Sequence, residues 1–300
     1  MTKTINTLVE DINAELVSRG GWDAATTEYF VASIRDVAVT RLEQPDERSP
    51  TLRMSNMGKP CKRALWYSVN AADEAEPFSP ATHFKFLYGD LLESFILSLA
   101  VAAGHDVRGE QDELEIAGIR GHRDAVIDNY TVDVKSASPF SFSKFQSGAL
   151  RDNDAFGYIT QLSSYVSAGH ARDDTVHPTT GYFLVVNKVS GEICLDEHTF
   201  TDAELDKRGD YEATKELIAD LDNPPPRGFE PVDDGYTDRK TKTFKANGNK
   251  LLGVNCSYCD FKNKCYPHLR TFMYKSGMGS KPKFFTHVAK EPIVMEVTGK

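Results

Sequence analysis

Gly121-His122-Arg123-Asp124-Ala125-Val126-Ile127-Asp128-Asn129-Tyr130-Thr131-Val132-Asp133-Val134-Lys135 reads as a β-hairpin that turns at Asp128-Asn129. Counting outward from a two-residue turn sets Ile127 against Tyr130, Val126 against Thr131, Ala125 against Val132 and Asp124 against Asp133. Two carboxylates then oppose each other on one face, with β-carbons roughly 5 Å apart. Lys135 lies two residues beyond Asp133 and projects from that same face, while Val132 and Val134 point into a core. Adjacent carboxylates repel unless a proton or cation lies between them. A divalent metal resolves the conflict, and a lysine beside it can hold or activate water. This is the layout expected of a metal-dependent phosphodiesterase site.

Other residues can join such a site. Glu93 sits in Gly89-Asp90-Leu91-Leu92-Glu93, inside a helix expected over about 83–103, from which a glutamate could reach a metal held by the hairpin. Phe84, Leu87, Leu91, Phe95 and Leu99 mark the expected buried face of that helix. Gln161 and Tyr165 are spaced i, i+4 in a helix expected over about 155–168, so an amide and a phenol share one face and could grip a phosphate or orient water.

The chain carries five cysteines, three of them in Cys256-x2-Cys259-x5-Cys265. Three thiolates need a fourth ligand for a closed tetrahedral Zn²⁺ or a cubane cluster. Cys61 and Cys194 are the candidates. Cys61 follows Gly58-Lys59-Pro60 at a loop-like entry to a helix, whereas Cys194 alternates with charged residues in an expected strand, so Cys61 is preferred.

Taken together, Cys61, Gly89 to Glu93, Asp124, Asp133-Val134-Lys135, Gln161 with Tyr165, and Cys256, Cys259 and Cys265 stand in an order that resembles the iron–sulfur RecB-type nucleases of the PD-(D/E)XK superfamily, with the Cas4-like exonucleases nearest. The resemblance covers about 61–266. It implies a restriction-endonuclease-like α/β core, with a mixed β-sheet flanked by helices and a small cysteine-ligated C-terminal module. It also implies Mg²⁺- or Mn²⁺-dependent DNA exonuclease activity leaving 5′-phosphate ends, and a structural [4Fe–4S] cluster on Cys61, Cys256, Cys259 and Cys265. By position, Asp124, Asp133, the Val134 carbonyl and Glu93 would serve metal, Lys135 the nucleophilic water, and Gln161 and Tyr165 the flanking helix motif. Two departures stand out: the family often has Glu where Asp133 stands, and Cas4-like members commonly have His where Glu93 stands.

Net charge is −9, unlike most nucleic-acid binders, but Arg239, Lys240, Lys242, Lys245, Lys262 and Lys264 form a local basic track that could bind DNA phosphates. Neither a transmembrane helix nor a signal peptide is read, so the expected setting is the cytoplasm, or the host cytoplasm of a stand-alone phage-encoded enzyme. Expected partners are DNA with free or single-stranded ends and a recombination or replication protein, with no membrane. The expected blocks are an N-terminal helical segment (1–60), the nuclease core (61–223), a basic linker with the iron–sulfur module (224–270) and a tail with few order signals (271–300). Two other readings compete: a non-catalytic DNA-end scaffold, and a regulator holding Zn²⁺ on the cysteines.

Overall fold

The computed structural model describes residues 3–18, 20–43, 49–276 and 279–297. Parts of the expected N-terminal helical segment, at 1–2, 19 and 44–48, fall outside them. Helices are α1 (Leu8–Ser18), α2 (Ala24–Ala38), α3 (Met54–Met57), α4 (Lys62–Asn70), α5 (Pro80–Ala102), α6 (Pro139–Gln146), α7 (Tyr158–Arg172), α8 (Asp202–Leu205), α9 (Arg208–Ala219), α10 (Val254–Ser257) and α11 (Lys262–Cys265). Strands are β1 (Val107–Arg108), β2 (Asp112–Ile116), β3 (Ile119–Arg123), β4 (Ala125–Ile127), β5 (Tyr130–Ala137), β6 (Thr180–Asn187), β7 (Ile193–Thr199), β8 (Val232–Thr237), β9 (Phe244–Leu251), β10 (Arg270–Ser276), β11 (Gly279–His287) and β12 (Glu296–Val297).

The chain divides into two units that are not the sequential blocks expected. One comprises 1–58 and 78–216, the other 59–77 and 217–300. In the first unit a mixed sheet runs β1-β4-β5-β6-β7, in which β5 and β6 are parallel and the other pairs antiparallel. α6 and α7 supply the crossover that a parallel pair needs. Because side chains alternate, one sheet face gives Ala125, Ile127, Val132, Val134, Tyr182, Leu184 and Val186 to a core with α1 and α5. The other face gives Ala137, Phe183 and Val185 to a core with α6 and α7. Met54, Leu114, Ile119, Tyr165 and Tyr211 form a third cluster around the β2–β3 hairpin.

Val126↔Thr131, Ile127↔Tyr130 and Ala125↔Val132 pair as the turn count predicts. Asp128 and Asn129 both take positive φ, 49° and 70°, the requirement of a type I′ turn. His105 pins that turn, its Nδ1 lying 2.7 Å from Asp128 Oδ2. The first arm of the expected hairpin is broken at Asp124, since β3 pairs with β2 while β4 pairs with β1 and β5. The α5 stripe is also revised: Phe84 is 70% exposed, and Ser94 and 96–100 are buried. The C-terminal half of α5 is enclosed by the sheet and by α1 and α2, so it is apolar around most of its circumference rather than along one stripe.

In the second unit β12-β10-β11-β9-β8 form an antiparallel sheet. The expected tail thus contributes β10, β11 and β12. The 59–77 segment joins this unit: Trp66 Nε1 donates to the Asp220 carbonyl at 2.7 Å and Asn70 Nδ2 to the Ile218 carbonyl at 2.9 Å. None of the described helices is long and apolar enough to cross a membrane.

α7 is fixed at its start by a close backbone approach. Gly157 has φ 81°, and a β-carbon there would lie 2.0 Å from the Gly58 carbonyl oxygen. Gly157→Ala is therefore expected to destabilise the protein by roughly 3 kcal/mol or more, combining left-handed strain with overlap. Gly148→Ala, also at positive φ but with open space around it, should cost about 1 kcal/mol. Urea unfolding of the two variants measures the difference.

Candidate functional site

The β4–β5 ladder ends at Ala125↔Val132, and Asp124 leaves the strand. The two carboxylates therefore do not face each other as a ladder pair. Instead Asp124 Oδ2 accepts a hydrogen bond from the Val134 N–H at 2.7 Å, taking the place of the missing strand partner. A strand residue's N–H and C=O point the same way, so the Val134 carbonyl faces the same gap.

Asp133 is 1% exposed. Its Oδ1 is ion-paired with Lys135, and its Oδ2 accepts from Gln161 Nε2 at 2.9 Å. α7 thus carries Gln161 to the carboxylate, and Tyr165, one turn later and 2% exposed, hydrogen-bonds Gln161. Gly121 leaves room for that tyrosine, since a β-carbon there would lie 3.0 Å from its hydroxyl and 2.7 Å from Met54 Cβ. Glu93 arrives from α5 and accepts from Gln111 Nε2 at 2.8 Å.

The electrostatics are those of crowded carboxylates. Burial, followed by repulsion from Asp133 and Asp90, pushes Glu93 up to about 7. Burial, followed by repulsion from Asp133 and Glu93, holds Asp124 well above the usual carboxylate range. For Lys135, burial works against the charge, but Asp133 and Asp124 outweigh it and keep the ammonium above its ordinary range. With three carboxylates against one lysine, ionising all of them would leave the site with excess negative charge.

The structure brings Glu93, Asp124, Asp133, Lys135, Gln161 and Tyr165 together. Sequence reading missed Tyr158, whose ring centroid lies 5.3 Å from Lys135 Nζ. Its signal was present, since Tyr158 stands three residues before Gln161 on the same helix face. Asp154 was also missed. Its carboxylate accepts from the N–H groups of Phe156, Gly157, Tyr158 and Ile159, anchoring the start of α7. A cleft of about 440 Å³ opens beside the carboxylates, lined by Arg53, Arg120, His122, Asp124, Gln161 and Tyr165.

In the second unit Cys61, Cys256, Cys259 and Cys265 line a cavity of about 40 Å³ together with Arg63, Arg227 and Lys262. Burial, then the charges of Cys259, Cys61 and Cys265, pushes Cys256 up to about 11. Gly228 abuts Cys61, where a β-carbon would lie 3.1 Å from Cys61 Sγ. Cys194 lies elsewhere, packed partly buried against the α6–α7 face of the first sheet, with burial raising its thiol to about 12. Among the described residues no three His, Cys, Asp or Glu donors converge closely enough to enclose one ion.

The basic track is divided. Lys245 is ion-paired to Asp238, Lys262 to Glu76 and Lys264 to Glu74. These acids are remote in sequence for Lys262 and Lys264, which is why those two lysines read as free charges from sequence. Arg239, Lys240 and Lys242 have no ion-pair partner among the described residues.

No family model and no curated protein matches the sequence. Among solved structures the chain is similar to the crystal structure of SSO0001, at 16% identity and a TM-score of 0.40, over 78% of this chain and 93% of that one.

The raised carboxylates have a consequence for stability. Glu93 binds its proton more tightly folded, at about 7, than at its ordinary 4.5, so the folded chain holds more protons between those values and stability falls as pH rises through that window. Asp124 adds in the same direction. Asp124→Asn keeps the acceptor for Val134 and removes one charge. In metal-free protein it should raise stability at about pH 8 by on the order of 1–2 kcal/mol and flatten the fall from about pH 5. Calorimetric melting at the two pH values checks this.

Proposed function

We propose that the protein is a divalent-metal-dependent DNA exonuclease with a restriction-endonuclease-like core of the PD-(D/E)XK type and a [4Fe–4S] cluster in its cysteine cavity. The observation that carries the reading is three carboxylates and a lysine gathered where β4 and β5 part, beside a cleft lined by Arg53, Arg120 and His122. The chemistry of the donor set suits a divalent cation, because Asp124, Asp133 and Glu93, once ionised, exceed Lys135 in charge and repel one another. Mg²⁺ or Mn²⁺ on these carboxylates and the Val134 carbonyl would supply Lewis-acid polarisation of the scissile phosphate.

The chain's own residues supply the rest. Lys135, held charged by Asp133 and Asp124, orients the attacking water and stabilises charge developing on the phosphate oxygens. Gln161 fixes the rotamer of Asp133, and Tyr165 fixes Gln161. Tyr158 covers Lys135 and limits its access to bulk water. A P–O bond forms to the water oxygen as the bond to the 3′ oxygen breaks, leaving a 5′-phosphate and a 3′-hydroxyl.

The chemistry of the cysteine cavity suits an anionic cluster: four thiols line it, and Arg63, Arg227 and Lys262 line it with positive charge. Its position between 59–77 and 217–300 gives it a structural role, since a site joining Cys61 to Cys265 closes a very long loop.

Lys135→Ala and Asp133→Asn are expected to lower Mg²⁺- or Mn²⁺-dependent release of nucleotides from end-labelled DNA by about 10³-fold or more. Lys135→Ala should do so while retaining Mn²⁺ binding. Wild-type turnover from either variant would refute the proposal.

Iron content tests the cluster separately. Cys61→Ser should lose iron and melt at lower temperature, whereas Cys194→Ser should keep its iron and cost on the order of 1 kcal/mol. Zinc in place of iron after anaerobic purification would overturn the cluster assignment.

A further inference from the structure

The β8–β9 hairpin extends beyond its sheet. β9 pairs with β11 through Leu251 and Lys250, and among the described residues the strand pairing around the tip is that of the hairpin itself, Gly235↔Ala246, Tyr236↔Lys245 and Thr237↔Phe244. Residues 239–248 are all exposed. On a chain of net charge −9, the segment Arg239-Lys240-Thr241-Lys242-Thr243-Phe244-Lys245 contains no acid.

The tip is ordered by one carboxylate. Asp238 accepts from the N–H groups of Lys240 at 2.9 Å and Thr241 at 3.1 Å, and also pairs with Lys245. The Lys242 N–H closes the loop onto the Asp238 carbonyl at 2.9 Å, with Lys242 itself at φ 57°. Arg239, Lys240 and Lys242 are thereby displayed from a fixed loop without ion-pair partners among the described residues.

Two aromatic rings flank these cations. Tyr236 is 61% exposed and Phe244 54% exposed. Their cross-strand pairs, Tyr236↔Lys245 and Thr237↔Phe244, are successive rungs of the hairpin, so the two rings lie on opposite faces of the ribbon. Phe244 reaches over Gly235, where a β-carbon would lie 2.8 Å from its ring. It is held against the backbone while its outer face stays open.

We propose that this arm binds single-stranded nucleic acid. Arg239, Lys240 and Lys242 would contact phosphates, and Tyr236 and Phe244 would stack on bases. Clustered cations alone would serve any polyanion, but exposed rings on a ribbon gain a partner only from unpaired bases, whose faces a duplex keeps stacked. The inference rests on the nuclease reading for the class of ligand and extends it to the form of the strand that is bound.

The test is binding of a fluorescent oligothymidylate to the full-length protein, followed by anisotropy at several KCl concentrations without divalent metal. The variant carrying Arg239→Ala, Lys240→Ala and Lys242→Ala together should bind at least tenfold more weakly and flatten the slope of log K against log[KCl] by about 2, near 0.7 per lost contact. Tyr236→Ala should weaken binding by roughly tenfold with the slope unchanged. Phe244→Ala is avoided because the ring also covers Gly235. Circular dichroism verifies that each variant is folded. Duplex DNA of equal length should compete poorly.

Unchanged affinity and slope in the triple variant overturn the proposal, as does competition by duplex, or by vesicles of anionic lipid, equal to that of the single strand. Hydrolysis is scored separately. If wild-type protein cleaves but the arm variants bind like wild type, the arm inference alone fails. If wild-type protein releases no nucleotides with Mg²⁺ or Mn²⁺ supplied while the arm variants still lose binding, the nuclease reading alone fails.

Discussion

The arrangement of the first unit depends on the repulsion among three carboxylates that the fold holds close together. Asp133 is buried in the middle of a sheet, Asp124 sits where the neighbouring strand gives way, and Glu93 approaches from α5. A fold that gathers like charges in partly dry surroundings gives up stability, because each charge loses water and gains an unfavourable neighbour. Lys135 offsets part of that, and Gln161, Gln111 and the Val134 N–H add hydrogen bonds. The supporting structure then reads as what keeps the groups in place. The type I′ turn sets the register of β5, His105 pins the turn, and Asp154 with the Gly58–Gly157 approach positions the start of α7.

Much of this was legible in the sequence because it is local. The Asp128-Asn129 turn, with both residues at positive φ, set the pairing of Ile127, Val126 and Ala125, and from it the alternation that buries Val132 and Val134. The i, i+4 spacing of Gln161 and Tyr165 placed both on the face of α7 that meets Asp133. What failed required knowledge of distant partners. Asp124 could not be seen leaving the ladder, because β3 turns away to pair with β2. Phe95 looked like part of a core stripe on α5, but its neighbours are Trp22, just ahead of α2, and Phe30 of α2. Lys262 and Lys264 looked free because Glu76 and Glu74 precede them by nearly two hundred residues.

The second unit shows the same contrast between local and remote information. Cys256, Cys259 and Cys265 stand out by spacing alone, while Cys61 joins them only in space, in the lining of one cavity. Around that cavity the early segment is clasped by the Trp66 and Asn70 hydrogen bonds and by the two lysine–glutamate pairs. The strands of the expected tail lacked a sequence signature because Gly279, Pro282 and several lysines interrupt their apolar alternation. They are strands through pairing with one another, β10 against β11 over seven residue pairs.

The central claim is that Asp124, Asp133 and Glu93 form a divalent-cation site. Titration of metal-free protein with Mn²⁺, followed by the electron paramagnetic resonance of the free ion, tests it without relying on cleavage. The account predicts saturable binding to the wild-type protein that disappears when Asp124→Asn and Asp133→Asn are combined in a folded variant. Equal Mn²⁺ binding by the two proteins would contradict it.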